Sequence, residues 1–170
     1  MTEEQFDVCD EQDQVIGQEA RSVVHARNLL HRAVHIWVWK PREEEMYLHL
    51  RSPGKDQFPL CLTSSASGHV DAGESYEQAA VRELREELGL TGELRFATKL
   101  SASEATAYEH TALYFLTTDD TPIPDPEEIQ ELLLSSPHQI WQDVQAHPEK
   151  FTPPFRELMN WWGNSGSIDQ

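Results

Sequence analysis

Gly68-His69-Val70-Asp71-Ala72-Gly73-Glu74-Ser75-Tyr76-Glu77-Gln78-Ala79-Ala80-Val81-Arg82-Glu83-Leu84-Arg85-Glu86-Glu87-Leu88-Gly89-Leu90 is the stretch from which the rest of the chain can be read. Ser75 suits a helix N-cap and Gln78 stands three residues later, the spacing of a capping box. Gly89 suits the left-handed position that closes a helix. A helix is therefore predicted from Ser75 to near Leu88, with Val81, Leu84 and Leu88 as its buried stripe. Glu83, Glu86 and Glu87 fall at i, i+3 and i+4 and are surface neighbours, where like charges repel by about a few tenths of a kcal/mol. They also stand in the last two turns, where the helix dipole favours positive charge. Two local preferences broken at one place tend to mark a functional site. A hard divalent cation removes both conflicts, and Mg2+ takes oxygen ligands while keeping water or substrate phosphate in its shell. Arg82 is spaced to hold a carboxylate by a bidentate contact, and Glu74, just before the helix, is its natural partner; Arg85 points to another side. Gly68 and Gly73 are expected to let the preceding loop turn sharply and approach metal or phosphate closely. Three glutamates alone would read as a solvated helix face; the full spacing argues for a site.

Composition limits what such a site serves. A length of 170 residues fits one domain over 1–170, with its core over about 6–162, and is ample for a hydrophobic interior. The net charge of −17 argues against nucleic-acid and anionic-membrane binding. It also requires a metal and a few local cations to attract an anionic substrate. Cys9 and Cys61 lie far apart without a partner motif and read as reduced thiols of a cytoplasmic protein. No apolar run approaches the ~20 residues that span a bilayer, and the acidic start Met-Thr-Glu-Glu-Gln is wrong for a signal peptide.

Along the chain, 6–20 reads as a hairpin around the turn-forming 10–13. Residues 31–40 form a strong strand ended by Pro41, and 46–51 return as a second strand. Residues 52–67 read as a Ser-, Gly- and Pro-rich loop. Strands are predicted over 93–100 and 106–117, a solvated acidic loop over 118–128, a short strand over 129–134, and helices over 137–146 and 153–162. Trp141, Trp161 and Trp162 should pack on the sheet, and 163–170 should fray. Strands around a middle helix, with more helix at the end, fit a mixed α/β sandwich.

Residues 68–90 reproduce the pattern G-x5-E-x7-R-E-U-x-E-E-x-G-U, with U aliphatic, without a departure. The chain thus resembles the Nudix superfamily. The resemblance implies an α/β/α sandwich with a mixed sheet, and hydrolysis of a nucleoside diphosphate linked to another group, with Mg2+ as cofactor and Mn2+ as the alternative. Carried onto this chain, it implies Glu83, Glu86 and Glu87 as metal ligands and the Gly68 carbonyl as a further ligand. Glu83 would assist the attacking water, with Arg82 and Glu74 as the orienting pair.

Outside that run, His31-Arg32-Ala33-Val34, Arg51, Lys55, Phe58-Pro59, the segment from Leu62 to His69, and Phe151-Thr152-Pro153 resemble the branch related to type I isopentenyl diphosphate isomerase. That branch implies a diphosphate grip at Arg51 and Lys55 and a second metal site at His25, His31 and His69, together with Glu87. His35, within the strand, reads as structural. Three departures argue against isomerisation. Ser67 stands where the isomerase has its essential cysteine, and a hydroxyl is a much weaker acid than a thiol. Tyr108 and His110, with Glu109 between them, stand where it has glutamates. Its box is degraded, whereas this one is intact. The expected activity is cleavage of a nucleoside diphosphate derivative or similar small diphosphate, with isomerisation and silent diphosphate sensing as alternatives. Trp37, Trp39 or Tyr108 could stack a base, though core packing is the simpler role for each. The apolar strands and tryptophans would serve a homodimer face or only the core.

Overall fold

The apolar run beginning at His31 becomes the axis of the fold in the computed structural model, which describes residues 2–165. The elements follow in the order β1 (Gln5–Cys9), β2 (Val15–Ala20), α1 (Arg21–Arg27), β3 (His31–Lys40), β4 (Glu45–Arg51), β5 (Leu62–Thr63), β6 (Ala66–His69), α2 (Tyr76–Leu88), β7 (Arg95–Leu100), β8 (Glu109–Thr117), β9 (Ile129–Ser135), α3 (Pro137–Ala146) and α4 (Pro153–Ser165). β1 and β2 form a separate antiparallel hairpin.

β3 runs parallel to β8 along its length, from His31 opposite Glu109 to Trp39 opposite Thr117. On its other edge it pairs antiparallel with β6 over Ala33 to Ile36, then with β4 at Trp39 and Lys40. β4 therefore diverges from β3, and the segment from β5 to β6 fills the wedge, β5 pairing with β4 and β6 with β3. The Ser65 hydroxyl stitches the wedge: it accepts the Val38 N–H at 2.8 Å and donates to the Tyr47 carbonyl at 2.7 Å. β9 pairs with β4, and β7 with β8.

The alternation of side chains along β3 builds two layers. Val34, Ile36 and Val38 pack with Ala80, Leu84 and Leu88 of α2. Trp37, with Leu113 and Phe115 of β8, packs with Ile140 of α3 and Phe155, Leu158 and Met159 of α4. The result is the expected α/β/α sandwich around a mixed sheet, with Trp141, Trp161 and Trp162 packed against the second layer. Among the described residues, no helix is long and apolar enough to cross a membrane.

Several local expectations need correction. The end of the segment 52–67, read as loop, supplies β5 and the start of β6, because the wedge between β3 and β4 offers unpaired backbone on both sides. α1 was not anticipated; its seven residues have no side-chain N-cap bond. β8 starts at Glu109, since Ala107 and Tyr108 take positive φ of 54° and 64°. Val81 is 46% exposed: the buried stripe of α2 runs through Ala80, Leu84, Glu87 and Leu88, turning a carboxylate inward where an apolar residue was expected. Of the end expected to fray, residues 163–165 continue α4, and Trp141 lies against Gly163 where a side chain would collide. The remainder lies outside the described residues.

Candidate active site

The α2 helix begins and ends as its sequence requires. Ser75 and Gln78 complete the capping box, and Gly89 closes the helix at φ 62°. That frame fixes the position of Arg82, which gathers the acids. Its Nε and Nη2 donate to the two Glu74 oxygens at 2.9 Å each. Nη1 donates to Glu83 Oε1 at 2.7 Å and to Glu86 Oε2 at 3.4 Å. Nη2 also reaches the His69 carbonyl at 3.1 Å, tying the helix to β6. The hydrogen bonds to Glu74, with the Glu83 charge beside it, raise the Arg82 pKa further.

Gly68 lies in β6 against the Glu83 carboxylate, and a Cβ there would sit 2.7 Å from Oε2 and closer still to Cδ and Oε1. Close approach, in an extended strand, is thus its role; the sharp turn expected of both glycines belongs to Gly73, at φ 80°. One residue earlier, the Ser67 N–H donates to Glu87 Oε1 at 2.8 Å. Burial pushes the carboxyls of Glu83 and Glu87 upward; the Glu83 charge adds to the rise at Glu87, while at Glu83 the Arg82 charge and hydrogen bond work against it. Keeping both ionised in the interior requires a cation beyond Arg82.

These groups line a cavity of about 200 Å3 at the wedge between β4 and β6. Glu4, Asp71, Glu83, Glu86, Glu87, Glu109, Asp125 and Glu128 face it, against Arg21, Arg51, Lys55 and Arg82. An anion entering such a cavity meets net repulsion unless divalent cations are present, so the donor set fits a hard metal with oxygen ligands. Arg51 donates from Nε and Nη2 to the Gln57 carbonyl at 3.1 and 2.8 Å, and from Nε to the Phe58 carbonyl at 3.2 Å. Its Nη1 makes no hydrogen bond among the described residues. Lys55 pairs with Glu128 at 2.5 Å.

His25, His31 and His69 come together as the resemblance to the isomerase branch implied. Their ring centroids stand 5.1–5.4 Å apart, and one ligand atom from each lies within 4.8 Å of the others. Burial pushes their pKa values down, to about 4 for His25 and His31 and about 3 for His69. The rings are therefore neutral, the state in which imidazole binds metal. Nε2 of His25 and of His31 are buried without a hydrogen-bond partner among the described residues. His69 Nδ1 lies 3.4 Å from Arg21 Nη1.

Glu109, passed over as a site residue in the sequence, faces this cluster: Oε1 is 3.1 Å from His69 Nε2 and 3.9 Å from His31 Nε2. The signal was its register, since it lies directly opposite His31. Its neighbours leave the site. His110 Nδ1 accepts the Ala102 N–H and its Nε2 contacts the Asp10 carbonyl. Tyr108 lines an adjoining cavity of about 190 Å3, which shares Gln57 and Phe58 with the first. Trp37 is fully buried and Trp39 packs on the core, so neither faces the acids.

Residues 29–162 match the NUDIX domain family. An uncharacterized Nudix hydrolase of Streptomyces coelicolor is 43% identical over 90 residues, covering 53% of this chain and 49% of that protein. An isopentenyl-diphosphate Delta-isomerase of Serratia proteamaculans is 30% identical over 162 residues, covering 92% and 90%. The crystal structure of DR0079 from Deinococcus radiodurans superposes with a TM-score of 0.81 at 28% identity, covering 93% of this chain and 98% of that one. The chain spans about half the length, or less, of several curated relatives it matches. The chain belongs to the Nudix family.

Proposed function

Given that membership, we propose that the protein is a divalent-metal-dependent pyrophosphohydrolase acting on a nucleoside diphosphate derivative or similar small diphosphate. The observation that carries this reading is the Arg82-centred array, which gathers Glu74, Glu83 and Glu86 at an acid-lined cavity beside the buried Glu87. Glu83, Glu86 and Glu87 would hold the metal, with Gly68 backbone beside them. When bound, Mg2+ neutralises phosphate oxygens and acidifies a water. Glu83, fixed by Arg82, accepts the proton of the water that attacks phosphorus, and Glu74 keeps Arg82 oriented. Arg51 offers Nη1 to a phosphate oxygen, and Lys55 turns from Glu128 to the substrate.

The cavity is smaller than the ~300–1,000 Å3 typical of pockets for drug-sized ligands. It suits the diphosphate, while the attached group extends toward Gln57, Phe58 and Tyr108 of the adjoining cavity. The protein would be one cytoplasmic domain, recognising a small molecule and neither nucleic acid nor membrane, in keeping with its charge of −17.

A second metal at His25, His31, His69 and Glu109 is supported by the converging ligand atoms. Nitrogen-rich donors favour Mn2+ or Zn2+ there over Mg2+. Ser67 keeps this site from the isomerase reading, because it offers no acidic thiol.

The test is incubation with Mg2+ and a panel of nucleoside di- and triphosphates, nucleotide sugars, dinucleotides and isopentenyl diphosphate, reading phosphate release and product mass, with Glu87→Gln as control. Metal-dependent cleavage of one class, lost in the control, is the expected result. A moved double bond without phosphate release, or tight binding without turnover, would overturn it.

A further inference from the structure

His35 is a buried histidine at the cavity wall that the proposed chemistry leaves unused. It is 4% exposed, lines the acid-rich cavity, and stands directly opposite Ser67 across the β3–β6 pair. Its Nδ1 lies 2.7 Å from Ser64 Oγ, and the Trp37 indole N–H donates to the same oxygen at 3.0 Å.

This arrangement selects one tautomer. Trp37 has only a donor to offer, so Ser64 Oγ accepts from it. Ser64 is fully buried, and its hydroxyl proton has no acceptor among the described residues other than His35 Nδ1. Leaving that proton unbonded would forfeit a buried hydrogen bond. Ser64 therefore donates to Nδ1, and the ring proton of His35 resides on Nε2. That nitrogen has no protein partner among the described residues, yet it is not sealed in like His25 Nε2 and His31 Nε2. Burial pushes the His35 pKa down to about 4, so the ring is neutral near pH 7.

We propose that His35 is a substrate-binding residue, presenting an uncharged Nε2–H donor to a phosphoryl oxygen of the diphosphate. Trp37 and Ser64 act through it as positioning residues. With its only free lone pair turned to Ser64, His35 cannot ligate a metal in the cavity, which separates it from the three-histidine cluster. The inference deepens the proposed hydrolase reading and rests on it.

Long-range 1H–15N correlation NMR of the Mg2+-bound protein should show His35 protonated on Nε2 and bare on Nδ1. His35→Phe should weaken methylene diphosphonate binding and lower kcat/KM by about 10- to 100-fold, the range of a hydrogen bond to a charged group. His35→Gln, which keeps a donor near the Nε2 position, should recover most of the loss. Ser64→Ala should release the tautomer preference in the NMR spectrum. An Nδ1–H tautomer in the wild type, or His35→Phe binding the diphosphonate as tightly as wild type, would overturn the proposal. Absence of hydrolysis by the wild type would instead defeat the parent reading, since the tautomer and diphosphonate arms do not depend on turnover.

Discussion

Gly68→Ala places a single methyl group where Glu83 now stands. The new Cβ would be 2.7 Å from Glu83 Oε2 and nearer still to Cδ and Oε1, against the ~3.5 Å at which non-bonded heavy atoms rest comfortably. The carboxylate must retreat by about 1 Å or more. It is the end of a flexible side chain, so the fold can yield there, and overpacking should cost no more than about 1–2 kcal/mol. The reduced freedom of the unfolded chain offsets about 0.4–1 kcal/mol of this, because Gly68 does not need positive φ. The site cannot yield so easily. Retreat stretches the 2.7 Å bond from Arg82 Nη1 and moves the group that receives the proton, and a misplacement of about 1 Å can cost about 100-fold in rate. Activity and stability should therefore separate: kcat down about 100-fold, and Tm within about 2–4 °C of wild type. Gly17→Ala, with nothing within 4 Å of its new Cβ, should change neither. Steady-state kinetics with saturating Mg2+ and a thermal melt on the same samples decide it. A Gly68→Ala enzyme within threefold of wild-type kcat would refute the close-approach argument.

Arg82→Lys keeps the charge but loses the fork that grips Glu74 through two nitrogens, and should lower kcat by about 100-fold, read by initial rates. Glu87→Gln removes a buried, metal-seeking charge; it should abolish turnover while raising the metal-free Tm by the equivalent of about 1 kcal/mol, and scanning with and without EDTA should show the metal-dependent shift gone. Burial would raise the Asp13 carboxyl, but hydrogen bonds from Lys99, Arg32 and Tyr76 outweigh it and hold the pKa at about 2, below the ordinary 3.8. Its depressed pKa means the contribution is present above about pH 4 and fades as pH falls from about 4 to about 2, amounting to about 1–2 kcal/mol after screening; acid titration of denaturant midpoints should show a flatter curve for Asp13→Asn. Ser75→Ala should cost about 1 kcal/mol through the lost cap, measured by urea unfolding.

The parts of this protein legible in its residues are those set by short-range geometry. The cap at Ser75, the stop at Gly89 and the grip of Arg82 on Glu74 and Glu83 all depend on offsets within one helix and its approach, where a rigid 3.6-residue turn converts spacing into position. β3 and β8 were legible as strands because their apolar runs are long. The meeting of His25, His31 and His69 was legible through the family resemblance.

Tertiary pairing decided the rest. Alternation says which side chains of β3 share a face, but not that β4 diverges and a wedge carrying Ser64, Ser65 and Ser67 enters beside it. Val81 reads as inward and Glu87 as a surface residue, and the helix, docking with its two alanines against the sheet, reverses both. Lys55 looked like a free phosphate ligand, and Glu128, 73 positions later, claims it in this structure. Glu109 rather than its neighbours faces the histidines because the parallel register of β3 and β8 sets it opposite His31. Sequence spacing determined the chemistry of one helix, since a helix carries its own hydrogen bonds; the shape of the cavity came from strands, whose partners and register lie elsewhere in the chain.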